Sequence, residues 1–322
     1  METAVKRLAV ATTVGMFLVL VLGATVTNTG SSEGCGRSWP LCHGEFIPHY
    51  AVTTAIEFSH RMVTGIEGIL IAAVSVGALI RRRGRRDVKL YVGLMVGTLF
   101  LQSGLGAAAV LWPQTPALMA THFGISLVCF ASVFLLTRLL YETGDESTRP
   151  TPRPASPLPI WYRRATWGAL VASICVAYLG AYMRHSNAVM ACYRWPRCNG
   201  EVYPGFDGAV GVAFGHRLAA LAEIVLVGTL AAFAYRRRAA EPELFRVNAA
   251  AFVLILLQAG AGGAVVLTRM ALWSPLAHAG LMALLFLCLA DACRQVFARA
   301  RHTPVPRALL APATGQQLSI GD

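Results

Sequence analysis

The chain is short of charge, and shortest of acid: only 14% of its 322 residues are charged, 16 of them acidic against 28 basic. Soluble domains carry roughly a quarter charged residues, so a chain that is also 56% hydrophobic is excluded from that class and belongs in a bilayer. Other absences narrow the reading further. The basic runs have no interleaved aromatics, which excludes a nucleic-acid surface. The first apolar stretch runs about 20 residues, lacks a convincing small-x-small cleavage site and has a repeat partner at 165–184, so it reads as a retained helix and not as a secretory signal. None of the apolar stretches is broken in the way that transporters break theirs.

What is present is a repeat. His60 and His122 recur as His216 and His278 at an offset of 156 residues, and Leu101-Gln102-Ser103-Gly104-Leu105-Gly106 recurs as Leu257-Gln258-Ala259-Gly260-Ala261-Gly262. Trp39-Pro40 matches Trp195-Pro196 and Cys42 matches Cys198, while Cys35 finds Cys192 one residue out of step. Spanning takes roughly 20 apolar residues. Eight stretches qualify, at about 8–27, 58–80, 90–111, 119–140, 165–184, 209–235, 247–268 and 274–297. The expected fold is therefore an all-α integral membrane protein of eight transmembrane helices, arranged as two parallel four-helix-bundle repeats. Four spans per repeat enter from the same side, so the halves are related by a pseudo-twofold axis along the membrane normal.

The expected organisation is an N-terminal half over 1–141, a Pro-rich linker over 142–164, a C-terminal half over 165–301 and a disordered tail over 302–322. With both termini, the linker and the tail cytoplasmic, 21 of the 28 basic residues lie inside, including the run Arg81–Lys89 and Arg236–Arg238. The positive charge is then explained by topology and anionic lipid heads. The two cysteine loops fall outside, where disulfides persist. Cys35 with Cys42 and Cys192 with Cys198 are spaced to close small loops, either as staples or as exposed pairs that exchange electrons with a partner. Zinc is disfavoured, because it needs four well-placed ligands in one cluster and each loop offers only two cysteines, with His43 and His49 added in the first.

Two matched histidine pairs in membrane helices point to a cofactor, since each half presents two imidazoles at similar depth from two helices of a bundle. Haem iron takes two axial imidazoles in this way, and Gly124, Gly215 and Gly280 beside them would admit a flat macrocycle. Arg61 and Arg217 follow the ligand histidines directly and are candidates to pair with haem propionates. Glu67 and Glu223 also match at 156, deeper on the same helices, and read as shared scaffold. The symmetry breaks at Glu57, three residues before His60, because position 213 is Ala. A carboxylate on the His60 face is suited to proton transfer or to stabilising a cation on a substrate.

At this point the chain resembles the haem A synthase family of the bacterial type with loop cysteines. The resemblance rests on Glu57-Phe58-Ser59-His60-Arg61, His122, His216-Arg217, His278 and a cysteine pair in each half, over about residues 7–297. It implies oxidation of the C8 methyl of haem O to the formyl of haem A, by successive hydroxylations through an alcohol and a geminal diol that loses water. It implies that His60, His122 and Glu57 hold the substrate haem, and that His216 and His278 hold a permanent haem b. It further implies that Cys35 and Cys42 take part in activity while Cys192–Cys198 is structural. A haem O synthase and terminal oxidase assembly machinery are the implied neighbours in the cell membrane, and the resemblance leaves room for a homo-oligomer. Two competing functions share part of the pattern: a dihaem b-type electron-transfer cytochrome, which gives Glu57 no purpose, and a thiol/quinone oxidoreductase, which needs no histidine quartet.

Overall fold

A computed structural model describes residues 2–46, 51–142 and 157–301. His49, most of the Pro-rich linker and the tail from 302 lie outside the described residues. Eight helices are long and apolar enough to cross a membrane: α1 (Glu2–Asn28), α2 (Val52–Arg81), α3 (Arg86–Leu111), α4 (Pro116–Glu142), α5 (Ile160–His185), α6 (Gly208–Arg236), α7 (Pro242–Leu267) and α8 (Trp273–Arg301). A short 3₁₀ turn, Val189–Cys192, is the only other named element among the described residues.

The helices run past the apolar stretches that announce them. At 26 to 30 residues and about 1.5 Å per residue, each is roughly 40 Å long, enough to carry its ends into the headgroup region. Hydropathy marks only the hydrocarbon part. α2 therefore starts at Val52, six residues before the apolar stretch, through a polar turn in which Thr54 Oγ1 donates to the Gly34 carbonyl at 2.7 Å. The histidines consequently sit about one and a half to two turns into their helices and not at the first residue.

Burial separates the helices into two kinds. In α4 and α8, 61% of the apolar window is buried, against 17–33% in the other six, so these two run through the centre and the rest turn apolar faces outward. Side chains such as Ile69, Phe100 and Val225 on those outer faces have bilayer lipid as their natural solvent. α1, α4, α5 and α8 pack around one another, with α2 and α3 flanking one side and α6 and α7 the other. α8 serves two apolar clusters: Met282, Ala283, Phe286 and Ala290 join the cluster of α1–α4, while Leu285, Leu289 and Val296 join that of α5–α7. The flanks differ, for α2 touches α3 along much less of its length than α6 touches α7.

Polar clamps close both ends of the central bundle. At the cysteine-loop end, Arg184 of α5 reaches the C-terminus of α1, with Nε on Asn28 Oδ1 at 3.0 Å and Nη2 on the Thr27 carbonyl at 3.1 Å. The contact satisfies a carbonyl that the helix end leaves open. At the opposite end, Arg294 of α8 grips both oxygens of Glu142 of α4 at 2.7 and 2.9 Å and also contacts Asp291, which Arg138 approaches from α4 at 3.6 Å. Arg138 and Arg294 are themselves 156 residues apart.

Candidate functional site

Each of the four histidines is set against a glycine of the neighbouring helix. A Cβ built on Gly23 of α1 would stand 3.3 Å from His60 Cε1, and one on Gly106 of α3 would stand 3.5 Å from His122 Cε1. The corresponding approaches are 3.0 Å for Gly180 of α5 and His216, and 3.1 Å for Gly262 of α7 and His278. The absent side chains let the Cε1 edge of each ring approach the adjacent helix closely.

The ring nitrogens have almost no protein partners. Nδ1 of His60, His122 and His216 is buried without a hydrogen bond. His278 is the exception: its Nδ1 lies 3.1 Å from the Gln258 carbonyl, so it must be the donor there, and Nε2 is left as an acceptor 3.3 Å from the Gln258 amide. This is the tautomer of a metal-binding histidine, whose second nitrogen is oriented by a backbone carbonyl. Of the three glycines expected to give room, Gly124 and Gly215 face open space, while Gly280 packs against Phe17 of α1 and serves the junction between the halves.

The cysteine loops stand directly above. Cys35–Cys42 and Cys192–Cys198 are disulfides, each with 4.6 Å between Cα atoms, and each loop closes through a bridge, Cys42 to Glu45 and Cys198 to Glu201. Contrary to the expectation of exposed pairs, all four cysteines are buried, because each loop folds back onto the helix that follows it. Gly34 approaches the start of α2 so closely that a Cβ would meet the Thr53 carbonyl, and only glycine fits there.

Arg61 and Arg217 hold these loops. Arg61 Nη1 donates to the carbonyls of Ser38 and Leu41 at 2.7 and 2.9 Å, and Arg217 Nη1 to those of Arg194 and Pro196 at 2.8 and 3.2 Å. Most of each guanidinium is thus committed to the protein, which leaves few N–H groups for the propionate contact expected from sequence. Glu57 is buried, with neither oxygen free: Oε1 accepts from Arg61 Nε and Nη2 at 3.1 and 2.5 Å, and Oε2 from the Cys35 amide at 2.9 Å. The sequence places Glu57 on the His60 face; the structure adds that it is bonded to the cysteine loop.

Glu67 and Glu223 lie two turns below the histidines on α2 and α6, buried, each with Oε1 lacking a partner. The Glu67 carboxylate rests on Gly15 of α1, in space that a Cβ would occupy.

Sequence reasoning missed Gly23, Gly180, Arg184 and Gly34. Gly23 and Gly180 are 157 residues apart, the register of Cys35 and Cys192, so a search at 156 passes over them. The one-residue shortening of the second loop shifts everything before it, and aligning α1 with α5 at 157 would have exposed the glycine pair.

The family model for cytochrome oxidase assembly proteins, COX15-CtaA, matches residues 6–290. The chain is 42% identical to a haem A synthase of an Exiguobacterium species over 275 residues, covering 85% of this chain and 87% of that protein. It is 40% identical to one from Symbiobacterium thermophilum, over 87% of this chain and 91% of the relative. For one from Shouchella clausii the identity is 39%, over 94% and 99%. The chain belongs to the COX15-CtaA family of cytochrome oxidase assembly proteins.

Proposed function

We propose that this membrane protein is a haem A synthase, an oxidoreductase that converts the C8 methyl of haem O to the formyl group of haem A for terminal oxidases. Its similarity along most of the chain to proteins of that name supports the activity. The observation that carries the division of labour is the asymmetry between two otherwise matching histidine pairs: Glu57 and its bond to Cys35 occur beside His60, and Ala213 stands at the equivalent place beside His216.

In this reading His60 and His122 hold the iron of the substrate haem, and Glu57, Cys35 and Cys42 are the reactive groups of that half. Glu57, one turn from His60, takes up a proton released as the methyl carbon is oxidised. The shorter contact between α2 and α3 supports placing the exchangeable haem there, since a prenylated substrate must enter and its product must leave. His216 and His278 suit a resident haem b. The unpartnered Nδ1 of His216 and the open space beside Gly215 fit an iron porphyrin between α6 and α8, where His278 Nε2 would exchange its Gln258 amide bond for the iron. Bound there, haem b supplies one-electron redox chemistry. Arg217 and Gln258 fix the surroundings, the first by holding the loop above and the second by orienting His278.

The cysteine loops face the extracytoplasmic side and both termini the cytoplasm, a sidedness supported by the 21 basic residues in the sequence segments assigned to the opposite side. A haem O synthase supplies the substrate and the terminal oxidase assembly machinery receives the product.

The test is extraction and chromatography of the haems from protein produced beside a source of haem O, with a reduced-minus-oxidised spectrum of the same sample. Haem O, its hydroxylated intermediate or haem A beside haem b is the expected result. Haem b alone, with haem O available, would refute the assignment and favour an electron-transfer cytochrome.

A further inference from the structure

The two cysteine loops are fastened to their helices by different forces. The second packs by apolar contact: Cys192, Cys198 and Ala213 form a small cluster, with Val210 and Met183 against it, and Arg217 Nη2 donates to the Cys192 carbonyl at 2.7 Å. At the two positions of α2 that match Val210 and Ala213 the first half has Thr54 and Glu57, and both bond the loop, at the Gly34 carbonyl and the Cys35 amide. Glu57 is thereby inserted between Arg61 and Cys35, where the second half has the arginine directly on the cysteine.

Such a difference decides which loop can open. Separating an apolar cluster exposes hydrocarbon to water at full cost, whereas hydrogen bonds released to water are largely replaced. The loop tied by Thr54 and Glu57 is the one built to open, and the carboxylate holding it lies one turn from His60.

We infer that Glu57 couples the bond state of Cys35–Cys42 to the pocket of the first half. With the disulfide closed, the carboxylate is locked between the Cys35 amide and Arg61. When a dithiol donor reduces the pair, the S–S bond breaks, two S–H groups form, the donor is oxidised to its own disulfide, and the Cys35 amide withdraws. Oε2 of Glu57 is then free on the face of α2 that carries His60, while Oε1 stays with Arg61. That this pocket holds haem O rests on the haem A synthase reading; the linkage does not. Both sulfurs are buried, so a donor reaches them only once the loop has moved, and the Glu57 bonds resist that movement.

Coupling is reciprocal: if closing the disulfide places Glu57, removing Glu57 must favour the reduced pair. The full chain in detergent is equilibrated with defined mixtures of reduced and oxidised dithiothreitol, quenched in acid and alkylated, and each disulfide is read by mass spectrometry. Cys192–Cys198 is the reference within the same molecule. Glu57→Ala is expected to shift the Cys35–Cys42 equilibrium toward the dithiol by about tenfold or more, the worth of a hydrogen bond to a charged group. The distant pair should stay within a factor of about two. Glu57→Gln keeps an acceptor for the Cys35 amide but loses the charge facing Arg61, and falls between. An unchanged ratio in both variants, or an equal shift of both disulfides, would overturn the coupling. Because the ratio is read without turnover, a chain that converts no haem O yet shows the Glu57-dependent shift supports the linkage while refuting the assigned substrate.

Discussion

The glycines behind the four histidines allow a graded experiment. A methyl group at Gly180 would sit 3.0 Å from His216 Cε1 and 3.6 Å from both ring nitrogens, so the ring must retreat by several tenths of an ångström to reach ordinary contact. At Gly262 the approach to His278 Cε1 is 3.1 Å, at Gly23 to His60 it is 3.3 Å, and at Gly106 to His122 it is 3.5 Å, already an ordinary contact. The helix itself gains from the change, by up to about 1 kcal/mol for Gly to Ala in an interior turn. Loss of fold is therefore not the expected consequence. Overpacking costs about 1–3 kcal/mol, and because a displaced imidazole acts on the bound haem, Gly180→Ala should weaken haem retention by roughly 5- to 150-fold. The assay is haem content per protein by pyridine haemochrome after purification without haem O, with the low-spin reduced spectrum and thermal stability on the same sample. Gly180→Ala and Gly262→Ala should lose haem b and the bis-histidine spectrum while keeping the fold. Gly106→Ala should match wild type, and Gly23→Ala should leave haem b intact and reduce haem O conversion. Full haem b and an unchanged spectrum in both Gly180→Ala and Gly262→Ala would refute the steric argument, because these two methyl groups crowd the ligand rings most.

Other perturbations separate the halves and their clamps. Replacing His278 with Ala should abolish haem b retention, whereas His60→Ala should retain haem b and abolish conversion of haem O, as read by chromatography of extracted haems. Arg294→Ala takes from Asp291 and Glu142 their nearer shared partner and leaves them only the longer contacts of Arg138, so a loss of up to about 3 kcal/mol is expected in detergent unfolding. Arg138→Ala, at a more exposed site with contacts of 3.3 and 3.6 Å, should cost less than about 1 kcal/mol in the same assay. Arg184→Ala removes the bond between α5 and the end of α1; it should increase hydrogen exchange in the last turn of α1 and leave α3 and α7 unchanged.

Much of this was legible because membrane helices announce themselves by composition, and all eight appear where the apolar stretches lie. Their ends were not legible, since polar first turns such as Val52–Glu57 take their stability from loop contacts that hydropathy does not sense. The histidines and the Glu57 exception could be read from internal comparison alone. What that comparison could not supply was the direction of side chains. Arg61 and Arg217, which the sequence offers as partners of haem propionates, also bond loop carbonyls, because the loop returns over its own helix and presents acceptors there. Arg184 was invisible for a related reason: its partner Asn28 is on another helix, in a contact that exists only once the halves have packed.

A duplicated site can take on two tasks only if the changes fall where they alter exchange and spare the frame. The features both halves keep fix the imidazoles: the glycine behind each ring, the arginine holding each loop and the carboxylate two turns below. The features that differ are the Thr54 and Glu57 bonds in place of Val210 and Ala213, and the shorter contact of α2 with α3 beside the fuller one of α6 with α7. Each substitution in the first half exchanges apolar packing for polar contacts or for open space. Apolar packing resists local opening in proportion to the area it hides, so every difference moves the first half toward the less stable end of the molecule, where binding and release occur. On the assignment proposed above, a permanent cofactor and a transient substrate of nearly the same shape are distinguished by how readily each pocket opens, while the ligand set stays the same.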